Sequence, residues 1–510
     1  MLDYTEISFY NFPMENLQSA KMATVPVKKL LISMSLPAIF SMLVQAVYNV
    51  VDSLYLARFS SKAIEAMGII FPLQMLIIAL GIGIGVGTNV YISKSLGEGR
   101  RDRANRAAQN GVFMALIGMI VVVTLGLTIV KPFVGLYTND AETAEMATSY
   151  MSTCMIFSFG AMIELTTSKI LQATGNMRVP MFTQLIGAVT NIILDPFFIF
   201  GIGVFPRLGT KGAAIATVIG QCVAMAFSLS MLIFKKQDVH LLEKGFRPSP
   251  KFMWRILRVG LPSMLIGALP SFTIIMVNSF IKGFPYAISV LGVYFKLQSF
   301  VFMPVFGLTQ GGMPILGYNY GAYNRDRFSQ TFRFMLILAL SYMTFGLILF
   351  QSIPGYLMGL FGSDPEFIRV GTYALRTISI CFIFAATIIS VTTMMQSLGR
   401  GFTSLLITLT RQLVIIPSAY LLARYTGTRG VWFAYPIAEF VATAIFLPLS
   451  MSVFKKEFNK KRAQVQARRA PEELVLVPDG ALAPEPTLDA PDLDGALQEE
   501  DLPSEDKTLS

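Results

Sequence analysis

Apolar residues fill this chain in blocks of about 20, each closed by a short polar or glycine-rich break. About 20 such residues let a helix cross a bilayer. The blocks predict twelve spanning helices, at about 31–57, 66–92, 107–130, 146–171, 179–201 and 212–234, then 254–280, 286–315, 330–350, 367–396, 402–424 and 430–453. Many carry an internal proline, among them Pro37, Pro72, Pro196, Pro262, Pro304, Pro417 and Pro436. Membrane helices tolerate such breaks where neighbours or water satisfy the freed backbone groups.

The second six blocks repeat the first. Leu36-Pro37 answers to Leu261-Pro262, and Gln74 in FPLQ to Gln298 in FKLQ. LGEGRRDR (Leu96–Arg103) answers to YGAYNRDR (Tyr320–Arg327), QATG (Gln172–Gly175) to QSLG (Gln396–Gly399), and TKGAAIAT (Thr210–Thr217) to TRGVWFAY (Thr428–Tyr435). Six spans per repeat bring both halves in from the same side of the membrane, so they are related by a pseudo-two-fold along the membrane normal. The expected fold is all-α integral membrane, twelve transmembrane helices as two six-helix bundles. The boundaries read as an N-terminal arm (1–29), a first bundle (30–234), a connecting loop (235–252), a second bundle (253–455) and a disordered tail (456–510). That tail is rich in Pro, Asp, Glu and Ala and poor in aromatics. Matched bundles facing across a cleft suit alternating access.

Charge orients this arrangement. Lys and Arg gather before span one, between spans two and three (Arg100, Arg101, Arg103, Arg106), in the central connection, after span eight (Arg325, Arg327) and after span twelve. The alternate loops are poorer in them and carry Asp140, Glu142, Asp364 and Glu366. By the positive-inside rule both termini are cytoplasmic. The start of the chain does not read as a cleavable signal peptide. Only 14% of residues are charged, well below the roughly 25% of soluble domains, which fits the membrane class. The net charge of +10 does not indicate nucleic acid, because the basic residues recur between apolar blocks. Cys154, Cys222 and Cys381 lie far apart with no metal or disulfide spacing, and His240 sits in a charged loop. GIGIGVG (Gly81–Gly87) lies in a span with no strand before it, so it reads as helix packing, and no Walker A pattern is present to use ATP. Metal and nucleophile motifs are lacking, which argues against an enzyme.

Candidate chemistry starts in span one. Gln45, Tyr48, Asn49 and Asp52 fall at i, i+3, i+4 and i+7, one polar face on an apolar helix. Span five repeats the theme with Gln184, Asn191 and Asp195, and Gly187 and Ala188 on that face permit close packing. Pro196 withholds a hydrogen bond from Ile192, so a kink is expected beside Asp195. Asp52 and Asp195 each lie about six residues before the outer end of their span, roughly 9 Å deep. A carboxylate inside a membrane is costly, and it marks a functional candidate facing protein or water. Low dielectric favours its protonated form, and a second carboxylate favours it further, so the pair suits a proton carrier. An oxygen cage for Na⁺ is the rival use. Glu164, Ser168 and Gln172 form a stripe in span four. Glu439 is the acid of the second bundle, with Arg411 or Lys296 as its partner. For these, structural pairing and a direct transport role weigh equally.

These residues together resemble the multidrug and toxic compound extrusion transporters. The resemblance rests on Pro37, on Tyr48-Asn-Val-Val-Asp52-Ser-Leu-Tyr, on Asn191-Ile-Ile-Leu-Asp195-Pro196, on KGAAIAT at Lys211–Thr217, on FKLQSF and on Pro304–Ala322. It covers about residues 30–455. It implies a V-shaped twelve-helix antiporter that exports organic cations or amphipathic drugs in exchange for H⁺ or Na⁺, with no other cofactor, no ATP, the lipid bilayer as surroundings and a monomeric chain. The coupling acids of the family fall on Asp52 and Asp195, and their polar neighbours on Tyr48, Asn191 and Thr217. Gln45, Asn49, Gln184, Glu164, Gln298, Glu439 and Arg411 are candidates for the substrate cavity. The NorM-like branch carries an acid in span seven. Here that span has none, with Asn278 the nearest polar residue, which points to the DinF/MepA-like branch and a first-bundle coupling site. Ala57 stands where Gly is common, a small-for-small change. The alternatives are a lipid-linked precursor flippase of the same superfamily and, from other classes, a membrane enzyme or a non-transporting sensor.

Overall fold

A computed structural model of the chain describes residues 18–235, 237–241 and 246–473. Its helices are α1 (Lys21–Thr24), α2 (Val27–Phe59), α3 (Ser61–Gly97), α4 (Arg101–Thr128), α5 (Val130–Gly135), α6 (Ala141–Ile156), α7 (Phe159–Ala173), α8 (Arg178–Phe200) and α9 (Thr210–Phe234). The second half comprises α10 (Pro250–Ile281), α11 (Ala287–Gly321), α12 (Arg325–Ser352), α13 (Pro354–Gly359), α14 (Pro365–Ser379), α15 (Cys381–Ser397), α16 (Gly401–Val431) and α17 (Ala434–Glu473). Among the described residues ten helices are long and apolar enough to cross a membrane, and twelve spans result when each of two bent pairs counts as one.

Those bent pairs are the main departure from the expected spans. Span four is broken into α6 and α7 at 52°, and span ten into α14 and α15 at 44°. Neither break has a proline, so run length alone could not show it. The bend turns α7 onto α9, where a Cβ at Gly160 would lie 3.0 Å from the Cys222 backbone nitrogen. Helix also extends into both flanking segments. The N-terminal arm holds α1, and α17 remains helical to Glu473, past the boundary at 456 where disorder is expected. Its sequence from Asn459 is free of Gly and Pro as far as Pro471 and is rich in Ala, Gln, Lys and Arg, which are good helix formers. Residues 474–510 of the expected tail, Lys236 and Lys244 of the connection, and residues 1–17 of the arm lie outside the described residues.

The internal repeat is visible in backbone geometry. Positive φ recurs at matched positions: Gly99 (72°) with Tyr323 (58°), Gly175 (85°) with Gly399 (78°), and Gly209 (57°) with Gly427 (65°). The last pair precedes the matched Thr-Lys-Gly and Thr-Arg-Gly motifs, and Gly427 breaks the α16 helix there. Only glycine takes this conformation freely. Matched caps recur as well. Asp140 accepts from the Thr143 N–H at 3.0 Å at the start of α6, and Asp364 accepts from the Glu366 N–H at 2.8 Å at the start of α14. Each carboxylate then holds the start of a neighbouring long helix. Lys62 at the head of α3 lies 3.1 Å from Asp140, and the Tyr286 hydroxyl before α11 donates to Asp364 at 2.5 Å. The bonds from Thr143, with those from Lys62, hold the Asp140 carboxyl down at about 2.

Contact between the halves is made by α3 on α10 and by α11 on α2, which are pseudo-symmetric counterparts. Glycines permit it. A Cβ at Gly83 would lie 2.7 Å from the Gly260 carbonyl oxygen, at Gly87 2.2 Å from that of Ile256, and at Gly311 2.7 Å from the Ser35 Cα. At Gly97 and Gly321 the approach is reciprocal: a Cβ on Gly97 would lie 2.0 Å from the Tyr318 carbonyl oxygen, and one on Gly321 2.1 Å from that of Lys94. These contacts lie on the stretches of α3 and α11 leading to the Arg100 and Arg325 end, here called the basic end. GIGIGVG is thus a packing surface. Because backbone cannot yield as a side chain can, Gly97→Val should force the halves apart and cost about 1–3 kcal/mol. Thermal unfolding in detergent should show a lowered midpoint, and an unchanged midpoint would refute this account of the seam.

Candidate functional site

Within the first half, α8 packs on α9 and on α2, and α6 packs on α9. Small residues set the α8–α9 distance. A Cβ at Gly220 would lie 2.7 Å from the Gly187 carbonyl oxygen and 3.2 Å from the Asn191 Cβ. That approach brings Asn191 against Thr217, and the Asn191 Nδ2 donates to the Thr217 Oγ1 at 3.2 Å. The same nitrogen donates to the Asp195 Oδ1 at 3.2 Å, one helical turn along α8. Asp195 is fully buried (0% exposed), while Asn191 and Thr217 are also buried. α8 continues helically through Pro196, so the proline sits beside the acid inside one element.

Span one completes the cluster from the other side. Asp52, half-buried on α2, is the charged neighbour of Asp195. The Tyr48 hydroxyl reaches Thr217, and Tyr48 interacts with both acids. α6 adds Tyr150 and Cys154, which interact with Asp52 and with each other. The sequence reading missed these two. Their i, i+4 spacing on a predicted span was the available signal, but an aromatic and a thiol are ordinary packing residues. About one turn beyond the acids, Tyr55 of α2 and Phe200 of α8 meet edge to face with centroids 6.5 Å apart.

The donor and acceptor balance of this cluster is one-sided. Asp52 Oδ1, Asp195 Oδ2 and Asn191 Oδ1 are buried oxygens without a hydrogen-bond partner. All three can only accept when the acids are ionised. Buried acceptors are rarely left unmatched, so the arrangement has room for protons, a hard cation or ordered water as partners. Nitrogen or sulfur ligands for a transition metal are not gathered here, and no group of three or more His, Cys, Asp or Glu is assembled among the described residues.

The other candidates fall in different places. Asn49, on the predicted polar face of span one, is exposed, whereas Gln45 and Gln184 are half-buried. Glu164 accepts from Ser168 at 2.8 Å, but Gln172, expected in the same stripe, instead accepts from Lys169. Glu439 of α17 is paired with Arg411 of α16, as one of the two expected partnerships had it, and Lys296, the other partner considered, is exposed. Tyr294, Tyr435 and Cys381 surround that pair. Gln298 is half-buried on α11, apart from the first-half cluster. Asn278 sits in α10 with a buried oxygen lacking a partner.

Two repeated helical halves, the first of them holding a buried carboxylate cluster, define a polytopic membrane transporter. The MatE family model matches residues 37–197 and again 262–421, one match per half, and the chain belongs to that family. Members of this family are transporters, not enzymes. The multidrug export protein MepA of Staphylococcus haemolyticus is 25% identical, over 83% of this chain and 93% of that protein. An FAD transporter of Shewanella oneidensis is 24% identical, over 82% of this chain and 92% of its own length. Among solved structures, one described as the outward-facing conformation of a multidrug resistance MATE family transporter of the MOP superfamily superposes with a TM-score of 0.81 at 25% identity. It covers 86% of this chain and 98% of that one. Similarity to MepA supports placement in the MepA-like branch.

Proposed function

We propose that this protein exports organic cations or amphipathic drugs in exchange for H⁺ or Na⁺, with the Asp52–Asp195 cluster as the coupling site. The observation that carries the reading is the set of three buried, unmatched oxygens of Asp52, Asp195 and Asn191. Protonating the acids or binding a hard cation both supplies partners to such a set and neutralises its charge, which ordered water alone does not do. Ion occupancy therefore changes the stability of the cluster, and a difference in occupancy between two states is what couples an ion gradient to a conformational change. α2 carries Asp52 in the cluster and also packs against α11 of the other half. A rearrangement of α2 on ion binding would thus reach the seam between halves.

With the basic end taken as cytoplasmic, the glycine seam closes the inner side, and the arrangement is outward-facing. Both termini are then cytoplasmic, and the chain works as a monomer in the plasma membrane. The flippase alternative needs a wide basic cavity, for which Arg411 and Lys296 were the start. Arg411 is tied to Glu439 and Lys296 is exposed, so neither supports that cavity.

The test is ethidium efflux from liposomes containing the purified protein, under an imposed pH gradient or an imposed Na⁺ gradient. Efflux under one gradient only is expected, and it names the ion. Folded protein that moves no dye under either gradient would refute drug–ion exchange.

A further inference from the structure

A charged side chain outside the carboxylate cluster lies on the seam between the halves. Lys169 of α7 was not singled out from the sequence. Its stem lies against α3 because Gly85 has no side chain; a Cβ there would be 2.6 Å from the Lys169 Cγ. Asn89 of α3 donates to the Lys169 backbone carbonyl at 2.9 Å and holds this turn of α7 in place. The ammonium donates to the Gln172 Oε1 at 3.0 Å and, across the seam, to the Gln310 Oε1 of α11 at 2.9 Å.

Both partners are neutral. Among the described residues no carboxylate lies within ion-pair distance of Lys169. The nearby Glu164 takes the Ser168 hydroxyl instead. Two of the three ammonium hydrogens are used on amide oxygens, which leaves one. Both amide nitrogens are also available: Gln172 Nε2 makes no hydrogen bond among the described residues, and Gln310 Nε2 makes only a long contact of 3.6 Å to the Met42 Sδ of α2. Lys169, Gln310 and Met42 are each half-buried and Gln172 is buried, so the group is accessible from the Lys169–Gln310 side only. Glu164 of the same helix acts on the ammonium only from beyond ion-pair distance and so compensates it in part. A partly compensated ammonium in a membrane interior is costly, and two amides would tie the seam equally well without it.

We infer that Lys169, Gln172 and Gln310 form a cradle for an anionic group of the cargo, a carboxylate or a group of like charge. The inference rests on the transport reading and refines its substrate class. Opposite charges then sit at separate places in one interior, acids at Asp52 and Asp195 and an ammonium at Lys169, with Glu164 beyond ion-pair distance of it. This arrangement favours amphipathic cargo that carries an anionic group over cargo that is purely cationic. The cradle is built from both halves, so it exists as a unit only while α7 and α11 are together. Opening the seam separates Gln310 from Lys169 and weakens the hold on the anion.

The test uses a matched pair of dyes, tetramethylrhodamine with its free carboxylate and tetramethylrhodamine methyl ester. Binding to the purified full-length protein is read by fluorescence anisotropy. Wild-type protein should prefer the acid, and in Lys169→Met the acid-to-ester affinity ratio should fall by about tenfold, as expected for one charge-assisted hydrogen-bonded group. Lys169→Gln, which keeps hydrogen bonding to both amides, should lower the ratio likewise, and Lys169→Arg should keep it. A ratio unchanged in both neutral variants, whether both affinities fall or neither does, would overturn the inference and leave Lys169 as a tie across the seam. Efflux of both dyes and of ethidium by wild-type protein is followed in parallel. Absence of efflux of the acid, the ester and ethidium alike, beside an intact effect on the ratio, would sink the export reading and spare the anion cradle.

Discussion

Asp195→Asn protein, reconstituted in liposomes, will lose gradient-driven ethidium efflux down to the leak of empty vesicles while remaining folded. The substitution keeps the size and polarity of the side chain and removes only its ability to ionise. Asp195 is the fully buried member of the cluster, and its Oδ2 has no protein partner. Any ion held there neutralises this charge, so a neutral amide leaves nothing for the gradient to act on. Asp52→Asn should show the same loss, because Asp52 is the neighbouring charge and sits on the helix that reaches the seam. Asn191→Ala is a graded control. It removes the bonds to Asp195 and Thr217 but neither acid, and losing a hydrogen bond to a charged group is worth roughly 1.5–3 kcal/mol, or about ten- to a hundredfold in ion affinity. Because the lost bond favoured the ionised carboxylate, a proton should be held more tightly, whereas Na⁺, losing the Asn191 oxygen as a ligand, should be held more weakly. The ion dependence of its efflux should therefore shift while transport persists, whereas Asp195→Asn should not transport under any gradient. Normal efflux in both aspartate variants at normal expression would remove the cluster from the mechanism.

The second large effect concerns stability. Arg411→Ala strips Glu439 of its ion-pair partner while leaving the carboxylate buried at 4% exposure. Removing one member of a buried pair costs about 3–5 kcal/mol, because the remaining charge is left uncompensated. The midpoint of thermal unfolding in detergent should drop sharply. Replacing both residues, Arg411→Met with Glu439→Leu, should restore most of it, since a buried pair and a well-packed apolar pair differ little in net stability. If the double variant is as unstable as Arg411→Ala, the pair has a role beyond mutual neutralisation. If it is stable but no longer moves dye, Glu439 or Arg411 takes part in transport, and the second half carries more than structure.

The cradle at Lys169 bears on how the family's export activity is understood in this chain. The relatives that match along most of its length are named for multidrug export in one case and for FAD in another. Family membership leaves the cargo of this chain open, and its own interior charges must decide it. The dye pair asks that question directly.

What the sequence determined by itself is considerable, and the reason is the bilayer. A membrane makes each span declare itself as an apolar run, so span number, the two repeats and their parallel relation were legible from residues such as Leu36-Pro37 and Leu261-Pro262. Polar residues inside such runs stand out for the same reason, and Asp52, Asn191, Asp195 and Glu439 were visible against their apolar neighbours. Tertiary structure alone decided the rest. It bent spans four and ten where no proline marks the turn, because packing against other helices sets those bends. It exposed Asn49 although periodicity placed it beside Asp52, since period fixes a face but not what covers that face. It chose Arg411 over Lys296 for Glu439, and it brought Tyr150 and Cys154 to the acids from a separate helix. It also set Lys169 against Gln310, residues from opposite halves that meet only because glycines at the seam let backbones approach. Sequence fixes periodicity along each helix; which faces meet depends on distances between helices, and those follow from packing the whole chain at once.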